Sequence, residues 1–288
     1  MSLRWDWLRP VVAVPFVPTI GPVHPSVLTL DLFADTVTAA STNRFLHYDK
    51  DIRWSSSKTE TVLVTDIVHR PGLTLIPTLL QRGTATVKVH VYATQPDSTR
   101  VATDLAHELA ARHGTAQAKI IRFAGPEVPH ARGTRIQLKD FTTHPCPAPE
   151  GPVRPLHQWP RHTRASFEEL AAELAADGFA FLYRQMRNAR VGPVLTAVVN
   201  ETVAGAIGPM EIRPDAIAVP QLMPQYFGVR KKYRGTGLGK LLWRAAMHWG
   251  QTHGAAYQLL QTAVGSPSDN LCRTEGLTAL GHTSTQTC

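Results

Sequence analysis

Residues 226–240 read Tyr-Phe-Gly-Val-Arg-Lys-Lys-Tyr-Arg-Gly-Thr-Gly-Leu-Gly-Lys, with glycines at 235, 237 and 239. An apolar run ends at Val229, and a helical pattern opens inside the glycines. Closely spaced glycines let the backbone approach a ligand. The first turn of a helix offers unpaired N–H groups at the positive end of its dipole. A strand, a glycine turn and a helix in that order form an anion site suited to a pyrophosphate. Arg234 and Lys240 add charge at its rim. They belong to a local cluster with Arg230, Lys231, Lys232 and Arg244, in a chain of net charge +8 and pI near 9.7. Such a cluster suits a polyanion, and charge alone leaves a nucleotide cofactor and a nucleic acid both open.

Two phosphate loops of other folds are excluded by spacing. The Walker pattern needs glycine five residues before its Gly-Lys, and a hydroxyl after. Here position 234 is Arg and position 241 is Leu. The dinucleotide fingerprint Gly-x-Gly-x-x-Gly fails because these glycines alternate. The run instead resembles motif A of the GNAT acyltransferase superfamily, Gln/Arg-x-x-Gly-x-Gly/Ala, with Arg234, Gly237 and Gly239 at its fixed positions. The preceding Val-x-x-x-Tyr-Arg-Gly and the following Lys240-Leu-Leu are also similar to that family. The resemblance covers roughly 165–285 and is sharpest over 225–280. It implies an acyl-CoA dependent N-acyltransferase, with acetyl-CoA as the default donor, another acyl-CoA as the alternative, and a small amine as acceptor. The pantetheine arm would bond to the backbone of Phe227 and Val229. The amides of Gly235, Thr236, Gly237, Leu238, Gly239 and Lys240 would hold the pyrophosphate, with Arg234 beside them. The acceptor amine would attack the thioester directly, and a backbone N–H near Val229 would polarise its carbonyl.

The chemistry also needs a base for the ammonium proton and an acid for the leaving thiolate. In the family the acid is often a tyrosine in a Leu-Tyr-x-x-x-Gly-Phe context. The matching run here is Leu271-Cys272-Arg-Thr-Glu-Gly276-Leu277, so cysteine stands at the tyrosine position. Cys272 has two readings: a thiol acid, or a small buried residue without a chemical role, which cysteine's usual burial favours. Glu211 is the carboxylate best placed by chain order to act as base, and its plain alternative is a charge at a strand end. Two other function classes stay open. One is an aminoacyl-tRNA-dependent transferase on the same fold. The other is a non-catalytic acyl-CoA-binding module. Without a basic stripe interleaved with aromatics, nucleic acid other than tRNA is not expected.

These residues need elements to hold them. The chain has 288 residues, 43% hydrophobic and 18% charged, enough for two folded domains. Six prolines between 145 and 160 break helix and strand. The expected plan is therefore an N-terminal α/β domain over 1–144, a linker over 145–160 and a catalytic domain over 161–288. In the second half, Ser166 and Glu169 have capping-box spacing before a helix that Gly178 stops. A hairpin follows over 194–212, then a strand over 221–229. A helix over 237–253 has Leu238, Leu241, Leu242, Ala245 and Trp249 on one face. A strand over 257–264, a short helix over 268–275 and a weak strand over 277–285 complete it. In the first half, strands over 61–68, 85–93 and 118–123 flank a helix over 101–112 capped by Asp97 or Ser98. That strand–helix–strand order repeats the order around the loop and suggests a diverged duplication. The expected fold class is α/β (α+β): a mixed, mostly antiparallel sheet flanked by helices, in two tandem copies of the GNAT fold. The first half lacks a glycine loop, so its copy would be degenerate. The three cysteines lack metal-ligand spacing, and no apolar stretch spans a bilayer. A cytoplasmic protein without a metal site or a membrane segment is the expectation.

Overall fold

The computed structural model describes residues 3–81, 83–94, 98–128, 132–188 and 191–288. The chain forms two compact units, 1–138 with 259–288, and 139–258. After a short helix, Trp5–Leu8, and an antiparallel pairing of Phe16–Val17 with Gly21–Pro22, the first unit runs through α1 (Leu30–Ser41), β1 (Glu60–Val62), β2 (Val68–Arg70), β3 (Leu73–Leu80), β4 (Thr86–Ala93), α2 (Ser98–Arg112), β5 (Gln117–Ala124) and β6 (Thr134–Asp140). The second follows with β7 (Val153–Pro155), α3 (Arg161–Ala165), α4 (Phe167–Glu173), α5 (Phe179–Asn188), β8 (Leu195–Val199), β9 (Thr202–Gly208), β10 (Ile212–Pro214), β11 (Pro220–Leu222), β12 (Tyr226–Val229) and α6 (Leu238–Thr252). The chain then re-enters the first unit along β13 (Tyr257–Ala263), α7 (Pro267–Thr274) and β14 (Thr278–Thr287).

The first unit is a twisted sheet in the order β13-β6-β14-β5-β4-β3-β1, with β2 also on β3. Alternation in β4 sorts its side chains. Val87, Val89 and Val91 pack against Ala102, Ala106 and Leu109, which form one stripe of α2. His90 and Tyr92 point to the other face, where Tyr92 stacks on Phe123 and donates to the carbonyl of Phe16 at 2.8 Å. β4 and β5 are parallel and stay paired from Thr86↔Gln117 to Val91↔Arg122. The last strand, β14, is inserted between β5 and β6, antiparallel to both. The segment 259–288, expected in the second domain, thus completes the first unit's sheet. The strand expected at 61–68 is interrupted by a single helical turn, Val64–Asp66, between β1 and β2. Asp97, a suggested cap of α2, lies outside the described residues.

In the second unit β12-β9-β8-β7 form an antiparallel sheet. β7 falls inside the stretch expected as a linker. The turn of the hairpin β8–β9 is Asn200-Glu201, both with positive φ, which suits a two-residue hairpin. The capping box does not form. Ser166 Oγ donates to Thr163 O at 2.7 Å and accepts from the N–H of Val203 at 2.9 Å, so it ties α3 to β9 instead. Gly178 ends the first helical stretch in the left-handed region, as expected, and a further helix, α5, follows it. Phe167, Leu170, Leu174, Phe179 and Leu182 from α4, its C-terminal end and α5 pack on Val203 and Ala206 of β9. Helix α6 buries Leu242, Trp243, Ala246, Met247 and Gly250, sharing only Leu242 with the expected face. Its small residues let it sit close: a Cβ on Gly250 would meet Leu222 Cδ2 at 2.7 Å. Close approach to the sheet outweighed the larger side chains in setting the buried stripe.

Burial holds His90 neutral, pushing its pKa from 6.5 down to about 4. Its ring bonds to Ile76 O at 3.1 Å, and Glu60 and Lys88 are its charged neighbours. The unfolded chain therefore binds the extra proton first as pH falls, so stability decreases from about pH 6.5 toward 4, by up to about 3 kcal/mol for this group. Urea unfolding of His90→Asn at pH 7 and 4.5 should show a correspondingly smaller acid loss than the wild type.

Candidate functional site

The site is built where one strand changes partners. β11 is parallel to β13, with Gln221↔Tyr257 and Leu222↔Gln258. Its other neighbour is β10, and the pairing continues as the N–H of Met223 donates to Glu211 O at 2.9 Å. Pro224 follows, and a proline cannot donate to a ladder. Beyond it β12 pairs with β9 alone, from Gly208↔Tyr226 to Gly205↔Val229, and forms the end of its sheet. The next amide, Arg230 N–H, donates to Ala204 O on β9 at 2.9 Å. Strand period two then turns the backbone groups of Val229 and Phe227 to the opposite, open edge. Val229 O confirms the direction, since it accepts from Arg234 Nε at 3.0 Å rather than from β9.

From the end of β12 the chain makes a helical turn, Lys231–Tyr233, and reaches the glycines. Gly235 and Gly237 have φ of 81° and 87°, where side chains are strained, and a Cβ on either would meet nothing within 4 Å. Gly237 is the residue before α6, with no side-chain cap and no acidic residue in the first turn. The amides of Leu238 and Gly239 therefore lack helical acceptors, and with Lys240 they sit at the positive end of a 15-residue helix. Residues 234–237 are exposed. Thr236 Oγ1 donates to Tyr233 O at 2.7 Å, which braces the turn from within. The result is a cradle of N–H groups continuous with an open strand edge, the geometry for a phosphate joined to a peptide-like chain.

Residues 153–273 match the model of the acetyltransferase (GNAT) family. That segment is similar to the GNAT acetyltransferase superfamily. The chain is also similar in fold to a GCN5-related N-acetyltransferase from Sphaerobacter thermophilus, at 12% identity and a TM-score of 0.53, over 97% of this chain and 90% of that one. A tandem GNAT protein from the clavulanic acid biosynthesis pathway is matched at 15% identity and a TM-score of 0.47, over 88% of this chain and 95% of that one. No curated protein matches the sequence. The mixed α/β GNAT fold with two units stands on the Sphaerobacter match and on the topology above.

Phe227 and Val229 lie on β12, Arg234, Gly235, Thr236 and Gly237 in the turn that follows, and Leu238, Gly239 and Lys240 in the first turn of α6, all in the second unit. Glu211, also in that unit, follows β9 and forms an ion pair with Arg213. Cys272 lies in α7 of the first unit and is buried. Burial, aided by the charge of Asp269, pushes its thiol up to about 11. An ordinary thiol titrates near 9.0, so proton transfer from Cys272 to a thiolate is about 3 kcal/mol uphill. Its environment makes it a packing residue. The sequence reading missed Glu173, whose carboxylate reaches the loop from α4. The charge pattern held no signal for it, because it lies 57 residues from its partner Arg230.

Only the fraction of Cys272 present as thiolate reacts with an alkylating agent. At pH 8 iodoacetamide should label Cys272 in the folded protein about two orders of magnitude more slowly than an ordinary thiol, the ratio expected for a rise from 9.0 to about 11. Half-buried Cys288 serves as comparator in the same peptide map.

Proposed function

We propose that the protein is an acyl-CoA dependent N-acyltransferase that uses acetyl-CoA and acylates a small amine. The observation that carries this reading is the open edge of β12 leading directly into the N–H cradle of residues 235–240. The match of residues 153–273 to the family model supports it. The donor supplies an acyl group activated as a thioester. The chain's own residues bind and orient it: the backbone of Phe227 and Val229 meets the pantetheine amides, and the amides from Gly235 to Lys240 meet the pyrophosphate. The N–H of Val229 faces the same edge and is available to polarise the thioester carbonyl. The amine attacks that carbonyl directly, with no acyl-enzyme. Cys272, held protonated by burial, lacks the surroundings of an acid for the leaving thiolate, and Glu211 is engaged by Arg213. Proton removal is therefore assigned to water or to the amine's own ionisation.

The first unit does not repeat this device. Its β4 and β5 remain paired through the stretch where β11 and β12 part from β13. It is assigned a supporting role, as a degenerate copy of the same fold.

Calorimetric titration with acetyl-CoA and desulfo-CoA, on the wild type and on Gly237→Asp with Gly239→Asp, tests the reading. Aspartate tolerates the left-handed region better than most residues and is favourable at a helix N-terminus, so the variant is expected to fold. Its two carboxylates occupy the anion site. Wild-type binding should be micromolar, and the double variant should lose about a hundredfold or more. A folded wild type that binds neither ligand would sink the acyl-CoA reading in favour of an aminoacyl-tRNA-dependent transferase. Binding with no thiol release across an amine panel would reduce the protein to an acyl-CoA-binding module.

A further inference from the structure

The connection between β12 and the glycine turn is held from outside by α4. Glu173 closes that helix. Its Oε2 accepts from Arg230 Nε at 2.8 Å, and its Oε1 accepts from the backbone N–H of Lys231 at 2.7 Å. Glu169, one turn earlier, accepts a longer bond from Arg230 Nη1 at 3.5 Å. The amide of Arg230 is meanwhile fixed to Ala204 O. Two successive residues are thus pinned, one to β9 and α4 together and the next to α4. The guanidinium is largely buried, with 12% of its side chain exposed, while Glu173 is one-third exposed. The Lys231 amide and the Arg230 guanidinium hold the Glu173 carboxyl below the usual carboxylate range. The clamp therefore stays charged through neutral and mildly acid pH.

Past Lys231 the turn has little of its own to fix it. Gly235 and Gly237 carry no side chains, and their Cβ positions face open space. The Arg234–Val229 and Thr236–Tyr233 bonds are local and travel with the turn. Its place in the molecule is set at its two ends. At the far end, the buried face of α6 holds it. At the near end, it is held at Lys231.

We propose that Glu173 is the positioning residue of the pyrophosphate turn. It fixes where the amides of residues 235–240 stand, and it neutralises Arg230, so that the ligand's phosphates meet backbone N–H groups rather than that guanidinium. The inference rests on the acyl-CoA reading above and deepens it.

A simple charge argument has the opposite sign. Removing a carboxylate near an anion site should tighten binding of a polyanion. That Coulomb term is screened for exposed groups at physiological salt, whereas lost preorganisation is not. The two accounts separate in one set of measurements on the full chain at 0.15 M salt. Acetyl-CoA binding is measured by calorimetry. S-acetylpantetheine, which lacks the pyrophosphate, is measured by ligand-observed NMR, and folding by thermal melting. Glu173→Ala should raise the Kd for acetyl-CoA about tenfold, the loss expected for hydrogen bonds to a charged group. It should leave S-acetylpantetheine within about twofold. Glu173→Gln keeps an acceptor for the Lys231 amide and should lose about threefold, a partial rescue that a charge role alone does not give. Unchanged or tighter acetyl-CoA binding by either folded variant, or equal losses for both ligands, overturns the positioning role. Should Glu173→Ala fail to fold, the same comparison on Glu173→Gln decides. A wild type that binds no acetyl-CoA sinks the acyl-CoA reading itself, and this inference with it.

Discussion

The second unit depends on one hydrogen-bonding constraint. Between Leu222 and Tyr226 the chain stops serving β13 and serves only β9. A strand edge with no neighbour is normally a liability, since its N–H and C=O groups remain to be satisfied by water or by another chain. Pro224 places that break by removing a donor where the ladder would have continued. Everything that gives the site its character follows from this parting. The open edge exposes the backbone of Phe227 and Val229, and the direction of β12 aims its end at the glycine turn. The turn in turn delivers the first amides of α6 to the same surface. No side chain need be reactive for such an arrangement to bind an extended ligand with amides at one end and phosphates at the other.

The loop was legible in the sequence because its determinants are local. Positive φ at 235 and 237 favours glycine, and the strand before and the helix after have clear periodicities. What was not legible depended on contacts remote in sequence. The strand over 221–229 read as one element because both of its pieces are apolar, and only the choice of partner divides it at Pro224. Ser166 and Glu169 have capping spacing, but the hydroxyl was taken by Val203, which lies 37 residues away. β3 escaped notice because six consecutive residues, Leu73 to Thr78, are buried and show no alternation, and because Pro77 argues against a strand. The weak strand at the C-terminus was seen, but its place between β5 and β6 is a matter of topology that no periodicity records.

The two units show how the same order of elements yields different surfaces. In the first, β4, α2 and β5 form a parallel strand–helix–strand unit whose strands stay paired along six residues. In the second, β11 and α6 do the same with Tyr257 and Gln258, the two residues of β13 in that unit, before the strand turns away. Closed pairing satisfies the backbone internally and leaves no edge along which a ligand could lie. The difference is a stronger argument for a supporting role of the first unit than its missing glycines, since a loop without a slot would hold phosphate but nothing attached to it.

Charge in the loop shows why composition alone is a poor guide to a binding site. Six basic residues between 230 and 244 suggest a surface that grips phosphate by side-chain charge. Arg230 is committed to Glu173 and Glu169, and Arg234 bonds through Nε to the carbonyl of Val229. Both arginines first shape the backbone on which the glycine turn rests. The groups best directed at an anion are then peptide N–H dipoles, fixed in space and needing no side-chain ordering on binding. Long basic side chains around them raise the local potential and draw a polyanion in. The final geometry is set by the backbone, and the backbone is set by a carboxylate on a neighbouring helix.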